Sequence, residues 1–197
     1  FYSDPTTLGN ENLDPEEAIS QELGLKYFSS DFNASFAFFN RDSNNLIDYV
    51  KENEDDLWQA TNIRDLNTIG FELNGSFNFS ISGFDQKINL GYTFIEDEVK
   101  ELEIDFSRYS INSLRHHLTG TLNTQFIKGL FQSLTFKHAE RTSGDSYTVV
   151  DASISLRING FEISAMANNI FNTDYTETNL VPMPKGNMLF GLNYKFN

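Results

Sequence analysis

Residues 190–196 read FGLNYKF, and that stretch decides the fold. Phe190, Leu192, Tyr194 and Phe196 fall on one side of an extended chain, with Gly191, Asn193 and Lys195 on the other, because successive strand side chains point to opposite faces. A helix would scatter the same residues around its circumference. The segment is therefore a strand with one greasy face and one polar face.

The same rhythm recurs upstream. Ile88, Leu90, Tyr92 and Phe94 alternate with Asn89, Gly91 and Thr93, and Val150, Ala152, Ile154, Leu156 and Ile158 with Asp151, Ser153, Ser155 and Arg157. Asn159-Gly160 suits a two-residue type I′ turn. After it Phe161, Ile163, Ala165 and Ala167 oppose Glu162, Ser164 and Asn168, with Met166 out of phase. Ile69, Phe71, Leu73, Phe77 and Phe79 oppose Gly70, Glu72, Asn74, Ser76 and Asn78, and Leu118, Leu122 and Phe126 oppose His117, Thr119, Thr121, Asn123 and Gln125. Leu23-Leu25-Tyr27, Ala34-Phe36-Phe38 and Leu134-Phe136 bring the expectation to about nine strands. No comparable helical period runs through the chain.

The connections alternate in length. Short ones fall near Ser29-Ser30-Asp31, Ser82-Gly83-Phe84-Asp85, Lys128-Gly129 and Asn159-Gly160, and long polar ones near residues 49–68, 96–113, 139–147 and 170–187. In outer-membrane barrels short turns face the periplasm and long loops face outside.

Composition narrows the function classes. The chain of 197 residues carries Phe 19 and Tyr 8 but Trp 1 and Pro 4, a profile that favours strands. Cys 0 removes disulfides and thiolate zinc sites. No run approaches the ~18 apolar residues of a spanning helix, and the N-terminus has no signal-peptide character. A net charge of -14 with a pI near 4.5 argues against a nucleic-acid partner. The acids gather at Glu52, Glu54, Asp55 and Asp56 and at Glu96, Asp97, Glu98, Glu101, Glu103 and Asp105, which read as solvated loops.

Alternation alone leaves two solvents open, since a soluble β-rich binding domain also pairs a greasy face with a polar one. Three features favour lipid: aromatics near strand ends (Phe71, Phe79, Phe190, Tyr194, Phe196), polar faces rich in Asn, Ser, Thr and Gly, and the loop asymmetry. Strands survive in hydrocarbon only in a closed barrel, and about nine should not close alone. The expectation is an antiparallel up-and-down transmembrane barrel segment with the missing strands N-terminal to residue 1.

The C-terminal stretch AMANNIFNTDYTETNLVPMPKGNMLFGLNYKFN resembles the last hairpin of TonB-dependent receptors, with Asn169, Ile170, Phe171, Asn172 and Tyr175 carrying the likeness. At the other end GNENLDPEEAISQELGLKY resembles the family's entry into a strand through Gly9, Asn10, Leu13, Pro15, Glu16, Glu22, Leu23 and Gly24. SRYSINSLRHHLTGTL and YTVVDASISLRI also read like family strands. Residues 1–197 are thus expected to be the C-terminal portion of such a barrel, with the plug domain, the TonB box and the first strands outside it. The resemblance implies a plugged barrel of roughly 22 strands, outer-membrane localisation, and partners in the TonB complex (through the missing N-terminal part), the barrel-assembly machinery, outer-membrane lipids and a small nutrient ligand. VPMPKGNMLFGL is similar to a Pro-Met-Pro loop of cobalamin and siderophore receptors, so the implied ligand is cobalamin or a ferric chelate.

Candidate sites follow from these placements. Tyr49, Trp58 and Phe106 are aromatics in long loops, where an incoming ligand can be met. Phe190, Leu192, Tyr194 and Phe196 form the expected barrel-assembly signal. Glu72, Asp151, Arg157 and Lys195 are expected to point into the lumen. Adjacent His116 and His117 must point apart and cannot jointly chelate, so no metal or cofactor is expected. No G-x-S-x-G, H-E-x-x-H or glycine-rich phosphate loop occurs, and no catalytic residue is expected. A nonspecific porin-like or adhesin-like barrel is the membrane alternative.

Overall fold

The computed structural model of the chain describes residues 3–62, 65–99, 106–107, 113–177 and 181–196. Its strands are, in chain order, β1 (Thr7–Leu8), β2 (Glu17–Phe28), β3 (Phe32–Asn44), β4 (Ile47–Lys51), β5 (Trp58–Asn62), β6 (Leu66–Ile81) and β7 (Phe84–Val99). There follow β8 (Phe106–Ser107), β9 (Leu114–Ile127), β10 (Leu130–Arg141), β11 (Ser146–Ile158), β12 (Phe161–Asn168) and β13 (Asn187–Tyr194). Nine of these form a wall sheet in the order β13-β12-β11-β10-β9-β7-β6-β3-β2, and four short ones form a second sheet, β1-β5-β4-β8. The chain divides into two compact units, one of residues 1–23, 37–71 and 95–113 and the other of residues 24–36, 72–94 and 114–197.

Every strand expected from alternation lies in the wall sheet, and the three weakest patterns belong to much longer strands, β2, β3 and β10. Two expected loops shrink. The 139–147 link is a turn of residues 142–145 closed by Arg141 N–H to Asp145 O at 2.8 Å, because His138, Glu140 and Arg141 continue β10 in spite of their polarity. The acids Glu96, Asp97 and Glu98 likewise lie in β7, so they are strand residues; Glu101, Glu103 and Asp105 fall outside the described residues. Glu52, Glu54, Asp55 and Asp56 are exposed, as a solvated tip requires.

Register fixes which residues share a face. Ile154, Ala165 and Phe190 form one cross-strand row, Leu156, Ile163 and Leu192 the next, and Ile158, Phe161 and Tyr194 a third. The opposite face runs Ser155, Ser164 and Gly191, then Arg157, Glu162 and Asn193. Met166 is accommodated on that polar face beside Leu189, its partner across the pair.

Side chains of the greasy rows such as Ile154, Ile158, Ile163, Phe190 and Leu192 are exposed. Among the described residues the buried apolar side chains are Ala60, Ala139 and Val149, whereas Phe190 is 81% exposed and Phe196 85%. Each large apolar side chain left in water forgoes about 1.5–3 kcal/mol relative to burial. A soluble domain built this way would have no core, whereas in lipid the same faces are already in their solvent. Aromatic pairs line the turn-side rim, with Phe161 and Tyr194 at 4.4 Å and Tyr194 and Phe196 at 4.7 Å between centroids. Toward the loops, His116 stands on the outer face against Phe94 and shares a 2.8 Å hydrogen bond between its Nδ1 and the Tyr92 hydroxyl.

Backbone groups in such a wall must be paired, because hydrocarbon offers no water to replace a missing partner. Asn159-Gly160 and Ser82-Gly83 both have positive φ at both residues, as type I′ turns demand. Three turn carbonyls are then used by the neighbouring hairpin: Asp31 O accepts Asn78 N–H at 2.7 Å, Gly129 O accepts Arg157 N–H at 2.8 Å, and Gly160 O accepts Lys195 N–H at 2.9 Å. The β7–β9 register runs no further toward the turns than Lys87 opposite Asn123. There the buried Gln86 amide stands in for a peptide, donating to Gln125 O at 2.7 Å and accepting from Gln125 N–H at 3.3 Å.

Candidate functional site

The segment from Asn169 to Gly186 is built on two asparagines. Asn169 (φ 47) and Asn172 (φ 54) adopt the left-handed conformation that asparagine tolerates better than most side chains. Asn169, 3% exposed, donates its N–H to Asp151 Oδ1 at 2.7 Å and clasps Thr173 through two bonds of 2.8 Å, one in each direction. Asn172 Oδ1 accepts Gly186 N–H at 3.0 Å, and Thr173 Oγ1 donates to Thr148 O at 2.9 Å. The Asn-Ile-Phe-Asn signature is thus a structural clamp that fastens the base of the last loop to β11.

Beyond the clamp the loop meets the polar face. Tyr175 packs on Tyr147 with centroids 4.7 Å apart, and the Lys137 ammonium lies 5.5 Å from the Tyr147 ring and 5.2 Å from the Tyr175 ring. The Lys137 ammonium donates to the Glu177 carboxylate in an ion pair, and Arg141 Nη2 donates to Glu177 O at 3.1 Å. The Tyr147 hydroxyl reaches Glu177 Oε1 at 3.5 Å. The hydrogen bond from Lys137 is the largest influence holding the Glu177 carboxyl below its ordinary value. Arg141, Tyr147, Asp174, Tyr175, Met183 and Lys185 line an open groove of about 420 Å³ beside this cluster.

A second recess, about 480 Å³, lies along the polar face between β3, β6, β7 and β9, lined by Asn33, Ser35, Asn74, Asn89, Thr119 and Thr121 among others. Gly91 makes this convergence of amides and hydroxyls feasible, since a Cβ there would stand 2.8 Å from Thr119 Oγ1 and 3.1 Å from Asn74 Oδ1.

The three loop aromatics come together in one element. Tyr49 lies in β4, Trp58 in β5 and Phe106 in β8, all within the four-stranded sheet. Tyr49 opposes Ala60 and Lys51 opposes Phe106, so Tyr49, Lys51 and Trp58 share a face, and the Lys51 ammonium lies 5.0 Å over the Trp58 ring. Phe190, Leu192 and Tyr194 occupy the outer face of β13 with Phe196 just beyond its end, and all four are exposed.

Of the inward charges expected, Asp151 supports the clamp, and Arg157 pairs with Glu162 at 3.3 Å while lying 4.8 Å over Phe131. Glu72 and Lys195 are exposed. Sequence reasoning overlooked Lys137, Arg141, Tyr147 and Glu177. The available signal was Lys137 itself, a lone ammonium on the polar phase of β10 between Thr135 and Ala139. Among the described residues no group of three His, Asp or Glu side chains is arranged to hold a metal.

A lipid-exposed antiparallel wall with polar inner rows defines a class, the outer-membrane β-barrel proteins. The family described as "TonB dependent receptor-like, beta-barrel" matches residues 1–170, and the chain belongs to that family. The family is one of the outer membrane. No curated protein matches the sequence.

Solved structures show the same fold at low identity. The FrpB iron transporter from Neisseria meningitidis is 16% identical with a TM-score of 0.69, over 96% of this chain and 33% of its own. The copper transporter OprC is 16% identical with a TM-score of 0.72, over 94% and 32%. The ferric-catecholate import receptor Fiu from K12 E. coli is 17% identical with a TM-score of 0.66, over 95% and 29%. The chain therefore spans about a third of the length of these relatives.

Proposed function

We propose that the chain is the C-terminal portion of the barrel of a receptor that takes up a scarce nutrient, a ferric chelate or cobalamin, by TonB-coupled movement of a plug. The nine-stranded wall carries this reading: its outer rows suit lipid, its inner rows suit water or a plug, and among the described residues β2 and β13 stand at the two ends of its strand order. Two of the relatives above are described as an iron transporter and a ferric-catecholate receptor, which favours the chelate over cobalamin. Tyr49, Trp58 and Phe106 are the proposed ligand contacts, and Phe190, Leu192, Tyr194 and Phe196 the signal read by the barrel-assembly machinery. The remaining partners are outer-membrane lipids and, through the N-terminal part of the receptor, the TonB complex.

Growth rescue tests this function. The complete gene should restore growth of a receptor-deficient strain on one ferric chelate or on cobalamin, and only with an intact TonB system. Failure on every such source would overturn the nutrient class, and rescue without TonB would overturn the coupling.

A further inference from the structure

The recess of about 480 Å³ on the polar face differs from the rest of that face in how its side chains are engaged. Among the described residues Asn33, Ser35, Asn74, Ser76 and Asn89 line it and make no side-chain hydrogen bond. Elsewhere on the polar face neighbours satisfy one another, as where Thr124 donates to Gln132 Oε1 at 2.8 Å and Arg157 to Glu162 Oε1 at 3.3 Å. The β7–β9 register sets Asn89 opposite Thr121 and Gly91 opposite Thr119. Gly91 keeps the floor open, since a Cβ there would crowd Thr119 Oγ1 at 2.8 Å and Asn74 Oδ1 at 3.1 Å. All of these residues belong to the unit of residues 24–36, 72–94 and 114–197.

One end of the recess carries an aromatic ring on the unexpected side of its strand. In β2 the greasy phase is Leu23, Leu25 and Tyr27, whereas Phe28 falls on the opposite phase with Lys26 and lines the recess. Phe28 is 72% exposed, and lipid contact does not explain a ring on the polar side. From β9 through β7, β6 and β3 to β2 the recess crosses five neighbouring strands, roughly 19 Å at the usual strand spacing.

We infer that this recess binds a neutral oligosaccharide, with one sugar ring against Phe28 and the hydroxyls of its neighbours on Asn33, Asn74 and Asn89. The amides and hydroxyls of the wall both donate and accept. An anion would use only the donors and a cation only the acceptors, while an apolar ligand would strand both. Sugar hydroxyls match both roles, and the C–H face of a pyranose suits the flat apolar surface of Phe28. Lys26, the one charged residue in the lining, stands at the Phe28 end, where an ammonium donates to a sugar oxygen as readily as to a carboxylate. The volume falls within the roughly 300–1,000 Å³ usual for small-molecule sites. The inference goes beyond the uptake reading and concerns this stretch of wall whichever nutrient is carried.

Calorimetric titration of the complete receptor, in a detergent without a sugar head group, tests it with maltotriose, cellotriose and mannotriose as probes. At least one of the three should bind. Asn89→Ala should weaken that binding about fivefold through the lost hydrogen bonds. Phe28→Ala should weaken it by a similar factor and Phe28→Trp should restore it, which separates the ring's contact from a loss of fold. Asn123→Ala, on the same polar face but outside the recess, should bind as wild type does. Heat from none of the three sugars, wild-type affinity in both Asn89→Ala and Phe28→Ala, or a loss in Asn123→Ala equal to that in Asn89→Ala would each overturn the inference. So would a loss confined to Trp58→Ala, which would put the sugar on the loop sheet.

Discussion

The wall sheet and the four-stranded loop sheet solve the same problem in opposite ways. In the wall, large side chains such as Leu122, Ile154 and Phe190 stand exposed and the surrounding lipid takes the place of a core. In the loop sheet the buried residues are small or polar: Ala60 at 0%, Asp48 at 1% and Thr7 at 3%. Asp48 Oδ1 accepts its neighbour's N–H, from Tyr49, at 2.6 Å. The wall is stabilised by its medium and by a backbone ladder that runs from strand to strand, patched by the Gln86 side chain where the β7–β9 register ends, whereas the loop sheet is stabilised by its own hydrogen bonds and close contacts. Substitutions that look alike on paper should therefore have unequal effects in the two regions.

The sharpest break comes from a charge placed on either face of one strand. Leu122→Arg, on the outer face of β9, should cost about 2–4 kcal/mol in denaturant unfolding of the complete receptor in bilayers, while Thr121→Arg next to it should cost little. Equal losses would mean that both faces see the same solvent. A smaller effect is expected at Gly129, where φ is +82 and a Cβ would stand 2.5 Å from Arg157 O. Gly129→Ala should cost about 1–3 kcal/mol in the same measurement, because the turn can neither change hand nor retreat from the adjoining strand.

In the loop sheet, Asp48→Ala removes an acceptor at a buried position and should cost about 1 kcal/mol locally. Hydrogen exchange should rise across residues 47–62 while the unfolding midpoint of the whole receptor stays put. A shift of the global midpoint would show that the two regions unfold together. The mildest effect is a dependence on pH. Glu177 binds Lys137 in its charged form, and its folded value lies below the ordinary 4.5. The tie is therefore fully present above 4.5 and weakens only as pH falls through the lowered value. A spin label introduced by Thr176→Cys should stay restrained at neutral pH and gain mobility only in that acid range.

The wall was legible because it obeys a strict period of two and punctuates its hairpins with Ser82-Gly83, Lys128-Gly129 and Asn159-Gly160. Lipid-facing strands cannot blur that period without placing polar groups in hydrocarbon. The loop sheet was hidden, since β4, β5 and β8 are too short to show a period and Asp48 and Lys51 break the hydrophobic pattern. Tyr49, Trp58 and Phe106 were each visible as loop aromatics, yet only pairing between distant segments places them in one sheet. The Lys137–Glu177 pair was hidden for a related reason, as its partners lie 40 residues apart on a strand and a loop tip. The 142–145 turn was misjudged because polar residues at a strand's outer end, clear of the membrane, look the same in sequence as residues of a loop.

The three carbonyls that Asp31, Gly129 and Gly160 offer to the adjoining hairpin have a mechanical result. Where a strand would otherwise end in a loose fringe, the bend of one hairpin is stitched to the flank of the next. Peeling Lys195 away drags on the bend at Gly160, and prising out Arg157 drags on the bend at Gly129. Force applied to any one ribbon at this rim is shared sideways, so the wall resists unravelling there even though its last bonds are the ones nearest to water.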